Sequence, residues 1–225
     1  VYIFVDIAGR DLGGYVADAQ AAVAASITLP QGYSLGWSGQ FEYLERAKQR
    51  LAIVVPLTLA LIFLLLFLNF RRLTETLIVM LSLPFALVGG IWLMWFMGFN
   101  MSVAVAVGFI ALAGVAAETG VIMLIYLDQA LSEAKDRAKG RPLTQEELYA
   151  AIMVGAVDRV RPKMMTVVAI MAGLMPILWA HGTGSEIMQR IAVPMIGGMV
   201  SSTLLTLIVI PAVYGVIKGW GLERK

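Results

Sequence analysis

An acid, a base and several thioethers stand within or beside long apolar runs of this sequence, and each is costly where it stands. Glu118, in Ala116-Ala117-Glu118-Thr119-Gly120, has nine more residues to go before the run ends at Leu127. At 1.5 Å per helical residue that is about 13 Å, too deep for a short carboxylate to reach headgroups. A charge at that depth costs at least a few kcal/mol, so Glu118 is expected to face a bundle interior or a water-filled path. Desolvation favours its protonated form and a nearby cation its charged form. A group that changes partner between conformations therefore changes its proton occupancy, which is what a proton carrier does. The structural alternative is a carboxylate permanently paired with one cation.

Lys163 follows Arg161-Pro162 at the start of another run. Either it snorkels to the interface, as lysines at helix ends commonly do, or it points inward as the partner of Glu118. In the second case Thr166, one turn deeper, offers a hydroxyl to the same path and the pair titrates as a unit. Of the 13 methionines, Met171 with Met175 and Met195 with Met199 stand at i, i+4 spacing, and Met188 lies at the mouth of the last run. Thioethers suit soft ions such as Cu(I) and Ag(I), yet methionine also fills helix interfaces. Met188, beside the polar stretch Gly182 to Glu186, is the one most open to a ligand role. His181, the only histidine, is either a ligand or an incidental loop residue. Cysteine is absent, which removes disulfides and thiolate sites. No nucleophile with a base, Walker motif or phosphate-binding glycine loop is present, so the sequence reads as a non-enzyme without a cofactor. Energy for any work would come from a gradient or another chain.

The elements that carry these residues follow from composition. The chain is 60% hydrophobic and 14% charged, against about 25% charge in soluble domains, with a mean hydropathy of +0.83. Five runs are long enough to span a bilayer: about 51–69, 73–97, 102–127, 162–180 and 188–217, the last long enough to tilt or bend. Arg71, Arg72, Lys135, Arg137, Lys139, Arg141, Arg159, Arg161, Lys163, Lys218, Arg224 and Lys225 share one side of that arrangement. The positive-inside rule then places the N-terminus outside and the C-terminus in the cytoplasm. The net charge of +2 is mostly this topological bias and offers nothing to nucleic acid.

Between the third and fourth runs, Thr144 with Glu147 three residues on reads as a capping box. It opens an amphipathic helix over about 144–158, expected at the cytoplasmic interface. Residues 1–48 read as strand, helix, strand: Val1 to Ile7, a turn through Gly9-Arg10-Asp11 to Gly13-Gly14, an Ala-rich helix near Tyr15 to Ile27, and Tyr33 to Phe41. So small a unit buries too little to fold alone and is expected to belong to a larger extracytoplasmic domain. An opening strand with neither Met nor a basic leader suggests a truncated chain.

The stretches Ser38-Gly39-Gln40-Phe41-Glu42, Pro84-Phe85-Ala86-Leu87-Val88-Gly89-Gly90, Gly108 through Glu118, Arg161-Pro162-Lys163-Met164-Met165-Thr166 and Pro194-Met195-Ile196-Gly197-Gly198-Met199 occur in this order. Together they resemble the heavy-metal branch of the resistance-nodulation-division pumps, most of all its Cu(I) and Ag(I) exporters. The resemblance implies a mainly α, polytopic bacterial inner-membrane protein with five transmembrane helices in 49–225. Residues 1–48 would be the last strand-helix-strand of a periplasmic porter domain. It further implies a homotrimer that works with a periplasmic adaptor and an outer-membrane channel and exchanges metal for protons. Glu118, Lys163 and Thr166 would serve the proton relay, and Met188 would stand on the methionine relay. Divalent-metal relatives usually carry other residues at the first two positions, and drug pumps a lysine at the first, so the pair favours a monovalent metal. The relay aspartate, the partner of Met188 and a periplasmic three-methionine site would lie upstream. Two other readings are a divalent-metal or drug pump and a membrane scaffold without transport, for which an intramembrane carboxylate is unexpected.

Overall fold

The computed structural model describes residues 2–7, 11–139, 141 and 143–223. Val1, Gly9, Arg10, Pro142, Arg224 and Lys225, to which expectations were attached above, lie outside the described residues. The elements are α1 (Leu12–Ser26), α2 (Gln40–Phe70), α3 (Leu73–Phe96), α4 (Val103–Arg137), α5 (Gln145–Leu178), α6 (Ser185–Leu204), a π segment (Leu205–Val209) and α7 (Ile210–Glu223). The chain divides into two compact units, Val1–Leu61 with Asn100–Val103, and Ile62–Phe99 with Ala104–Lys225.

The expected strand-helix-strand is not formed: among the described residues there is no strand. The middle helix exists as α1, capped by the Asp11 carboxylate, which accepts from the Gly14 amide at 2.6 Å. Residues 2–7 form no regular element among the described residues, and Tyr2, Ile3 and Phe4 are each at least 85% exposed. Alternating apolar residues specify a strand only where a neighbouring ladder takes up the backbone groups. The second expected strand ends inside a helix instead. Gln40 onward is rich in Glu, Arg, Lys and Gln, good helix formers, and runs without a break into the first apolar run as α2.

Among the described residues five helices are long and apolar enough to cross a membrane: α2, α3, α4, α5, and α6 continued through the π segment to Trp220. In α2 only Leu66 is buried, with Ile62 and Phe70 packed beside it against the core, and most of the other apolar residues of the helix are exposed. The 34-residue α5 runs through both the segment expected as an interfacial helix and the fourth apolar run. Its start is the capping box read from the sequence: the Glu147 amide donates to Thr144 Oγ1 at 3.3 Å, and the Thr144 amide to Glu147 Oε2 at 3.0 Å. Arg141 grips the same carboxylate through both terminal nitrogens, one of them 3.0 Å from Glu147 Oε2.

The hydrogen bond from Arg141, then that from the Thr144 amide, pulls the Glu147 carboxyl down to about 2. Its unfolded value is about 4.3. The cap therefore contributes fully above that value and fades as pH falls towards about 2. Hydrogen-exchange protection of the amides of residues 145–148 is expected to persist to about pH 4 and be lost below it. In Arg141→Ala the loss should begin at higher pH. Protection that ignores both changes would dismiss this cap.

In the second unit α3 packs on α6, and α6 and α7 pack on α5. The α3/α6 contact is a crossing of glycines. A Cβ on Gly89 would lie 2.2 Å from the Gly197 carbonyl oxygen, and one on Gly197 would lie 2.3 Å from that of Gly89. Ser201 Oγ donates to the Ala86 carbonyl at 2.7 Å and accepts from the Gly89 amide at 3.2 Å, so the approach is hydrogen-bonded as well as close. On α4, Gly108 meets the Ile191 carbonyl of α6 in the same way, with 2.5 Å to a built Cβ. Such small-residue contacts are how helices associate where lipid supplies no hydrophobic drive. Pro211, second residue of α7, has no amide hydrogen and its ring crowds the carbonyl four residues back. The helix answers with the π segment just before it, where the Ile210 amide reaches Leu205 O, five residues back.

Candidate functional site

Glu118 lies two-fifths of the way along α4 and is exposed on the face that carries Val107, Ile110 and Gly114. A Cβ added to Gly114 would meet nothing within 4 Å. The next residue turns the other way: Thr119 is buried, and its hydroxyl donates back to the Val115 and Ala116 carbonyls at 2.9 and 3.0 Å. Thus α4 buries its Gly108 and Gly120 side against α6 and α3 and leaves uncovered a stripe of small and apolar residues ending in a carboxylate.

Lys163 does not snorkel. Its side chain is 0% exposed, and among the described residues Nζ has no hydrogen-bond partner. The charges near enough to act on it are Arg159, one turn earlier on α5, and Glu118 across on α4. Local packing explains the direction: Gly155 brings α5 against the Tyr126 carbonyl of α4, 2.8 Å from a built Cβ, and this draws the next turns of the same face inward. Arg159 follows it, its guanidinium 5.9 Å from the Tyr126 ring centroid. The fold therefore brings Glu118 and Lys163 within electrostatic reach without joining them in an ion pair. Thr166 is exposed, and its hydroxyl donates to the Lys163 carbonyl at 2.8 Å, leaving only its lone pairs for another group.

Met188 stands apart from these residues, 61% exposed in the first turn of α6. The turn is set by Gly184 at φ 87°, and by Gln189, whose Nε2 donates to the Leu178 and Ala180 carbonyls at 3.3 and 2.9 Å. His181 is exposed in the same loop. Among the described residues no cluster of three or more His, Asp or Glu side chains could hold a metal. Met199 is buried and Met195 half-buried.

Sequence reasoning missed a second polar group, where α3 begins. Glu75, in the first turn of α3, is buried and paired with Lys218 of α7, and Tyr214 of α7 donates to Asp128 of α4. The signal was available. Glu75 is an acid inside the second apolar run, but it sits so near Arg71 and Arg72 that it passes for an interfacial residue.

The chain is 54% identical over 213 residues to the cation efflux system protein CusA of Escherichia coli K12, covering 95% of this chain and 20% of that protein. It is 53% identical over 216 residues to SilA of Salmonella typhimurium, covering 96% and 21%. A crystal structure of a heavy metal efflux pump superposes with a TM-score of 0.79 at 34% identity, covering 95% of this chain and 20% of that one. The chain thus spans about a fifth of the length of the relatives it matches. The AcrB/AcrD/AcrF family model matches residues 1–218, and the chain belongs to that family.

Proposed function

We propose that the chain forms part of an inner-membrane secondary transporter that exports Cu(I) or Ag(I) in exchange for protons. The observation that carries this reading is the Lys163 ammonium, buried with no hydrogen-bond partner among the described residues and within electrostatic reach of Glu118. An unpaired ammonium away from water is costly, so it needs a carboxylate partner in at least one state of the protein. Glu118 is the acid that this chain offers. Protonation of Glu118 would weaken that attraction, deprotonation restore it, and the relative placement of α4 and α5 would follow. Thr166, beside Lys163, offers lone pairs to a proton or water on the same path.

The uncovered face of α4 around Gly114 suits the approach of a further helix bearing another charge. In this reading 49–225 form the transmembrane domain, 1–48 belong to a periplasmic porter domain, and the C-terminus is cytoplasmic. The assembly is a homotrimer working with a periplasmic adaptor and an outer-membrane channel. The choice of monovalent metal rests on the softness of the Met188 thioether and on the resemblance to the copper and silver exporters.

The test is metal flux in vesicles holding the protein in its native assembly, driven by an imposed pH gradient. Cu(I) or Ag(I) should move against protons, and Zn(II) or Co(II) should not. Flux of the divalent ions alone would replace this reading with a divalent-metal pump, and absence of any coupled flux would leave a scaffold. For Met188→Ala, metal flux should fall about tenfold, the loss of roughly 1.4 kcal/mol of binding, with proton coupling per ion retained. Unchanged flux would remove Met188 from the path.

A further inference from the structure

Glu75 is held at 1% side-chain exposure where α3 begins. Its Oε1 accepts from Lys218 Nζ at 2.6 Å and lies 3.6 Å from Arg72 Nη1, while its Oε2 meets no donor among the described residues. Lys218 lies 5.0 Å from the ring centroid of Tyr214, one turn back on α7. The Tyr214 ring is fully buried, and its hydroxyl donates to Asp128 of α4. The charged and titratable groups around Glu75 are therefore Arg72 on its own helix, Lys218 and Tyr214 on α7, and, through Tyr214, Asp128 on α4.

Stability alone is a poor reason for this cluster, because a buried ion pair adds little over apolar residues of the same volume. Its partners differ in freedom. The Lys218 side chain is 21% exposed and can swing to water, whereas Glu75 cannot leave. A trapped carboxylate can be neutral in two ways, beside an ammonium or carrying a proton. The helix that delivers the ammonium starts at the π segment Leu205–Val209, and π turns inside helices are frequent at functional sites.

We propose that Glu75 is a second proton-binding site, in which a proton and the Lys218 ammonium alternate as α7 turns about its π segment. One proton enters from the water at the basic end as the ammonium swings out into it, and returns there when the ammonium comes back. The buried charge is zero in both states. Glu75 Oε2 has the lone pair for the proton without losing a bond. Only the use of this exchange in transport rests on the proton-driven reading above.

The test is infrared difference spectroscopy of the full protein in lipid vesicles through a pH step, which sees the carbonyl stretch of a protonated carboxyl group. The wild type should gain such a band on acidification, and Glu75→Gln should lose it. In Lys218→Met the band should be present already at neutral pH. The double variant Glu75→Gln, Lys218→Met removes both charges together and should fold without the band, whatever becomes of either single variant. If the wild type gains no band at any pH at which it stays folded, or if the band survives in Glu75→Gln, the pair is structural and the proposal is overturned. Glu118→Gln, examined in parallel, separates the two ideas: it should keep the Glu75 band while abolishing export. Export that survives Glu118→Gln would end the proton-driven reading and leave the Glu75 band to decide this site alone.

Discussion

Replacing Glu118 by glutamine is expected to reduce the proposed proton-driven metal export by at least about 100-fold, a span typical of losing a positioned proton-transfer group, and to leave assembly intact. Glutamine keeps the shape and hydrogen-bonding capacity of the side chain but cannot carry or release the proton. Because Glu118 is exposed on α4 and makes no ion pair among the described residues, little packing depends on it. The bilayer should even tolerate the neutral amide better than the acid. Cells expressing the variant should grow on copper or silver no better than cells lacking the protein, with equal amounts of the protein extracted from their membranes. Growth at the normal metal ceiling would dispose of the relay. Lys163→Met should have the same functional effect, since it removes the proposed partner of Glu118, and folding should tolerate an apolar chain of similar length in place of an ammonium with no hydrogen-bond partner among the described residues.

The largest effect on folding is expected at the α3/α6 crossing. Gly89→Ala puts a methyl group 2.2 Å from the Gly197 carbonyl oxygen and 2.6 Å from Ser201 Oγ. Neither obstacle is a flexible chain end, so the helices must separate and the two Ser201 hydrogen bonds that straddle them must lengthen. Overpacking of this kind costs about 1–3 kcal/mol, and the loss of the hydrogen bonds adds about 1 kcal/mol each. Gly173→Ala in α5 is the control, because a Cβ there meets nothing within 4 Å and alanine is the better helix former by about 1 kcal/mol. Thermal unfolding of the two variants in detergent should move in opposite directions. Equal shifts would mean that the glycine crossing is not a point of close contact.

How much of this was legible in the sequence depends on the range of the forces involved. Hydrophobic runs of membrane length declare themselves locally, and the five long apolar helices lie where those runs are. Glu118 stands deep in one of them, but within the chain it is exposed on α4 and does not face the bundle interior expected of it. The capping box at Thr144 and Glu147 is a contact within four residues, and it forms as read. The strands of residues 1–7 and 33–41 were misread because alternation states a preference that only a partner strand can realise. The direction of Lys163 could not be read, because burial is decided by Gly155 letting α5 close on α4, a tertiary event. Gly89 and Gly197 are likewise 108 residues apart, and nothing near either one names the other. Glu75 was hidden by its neighbours: two arginines beside it make an acid look ordinary.

The unbroken length of α4 has a mechanical consequence. Its 35 residues extend about 52 Å, well beyond the ~30 Å of hydrocarbon. From Glu118 to Arg137 a single rigid rod of about 28 Å runs out of the lipid. A tilt of only ~10° pivoting at the carboxylate would sweep the far tip through about 5 Å, by the lever ratio of a rod of that rise. A spin label on the exposed tip near Arg137 would therefore act as a pointer, magnifying a change at one acid into a displacement readable from the aqueous phase.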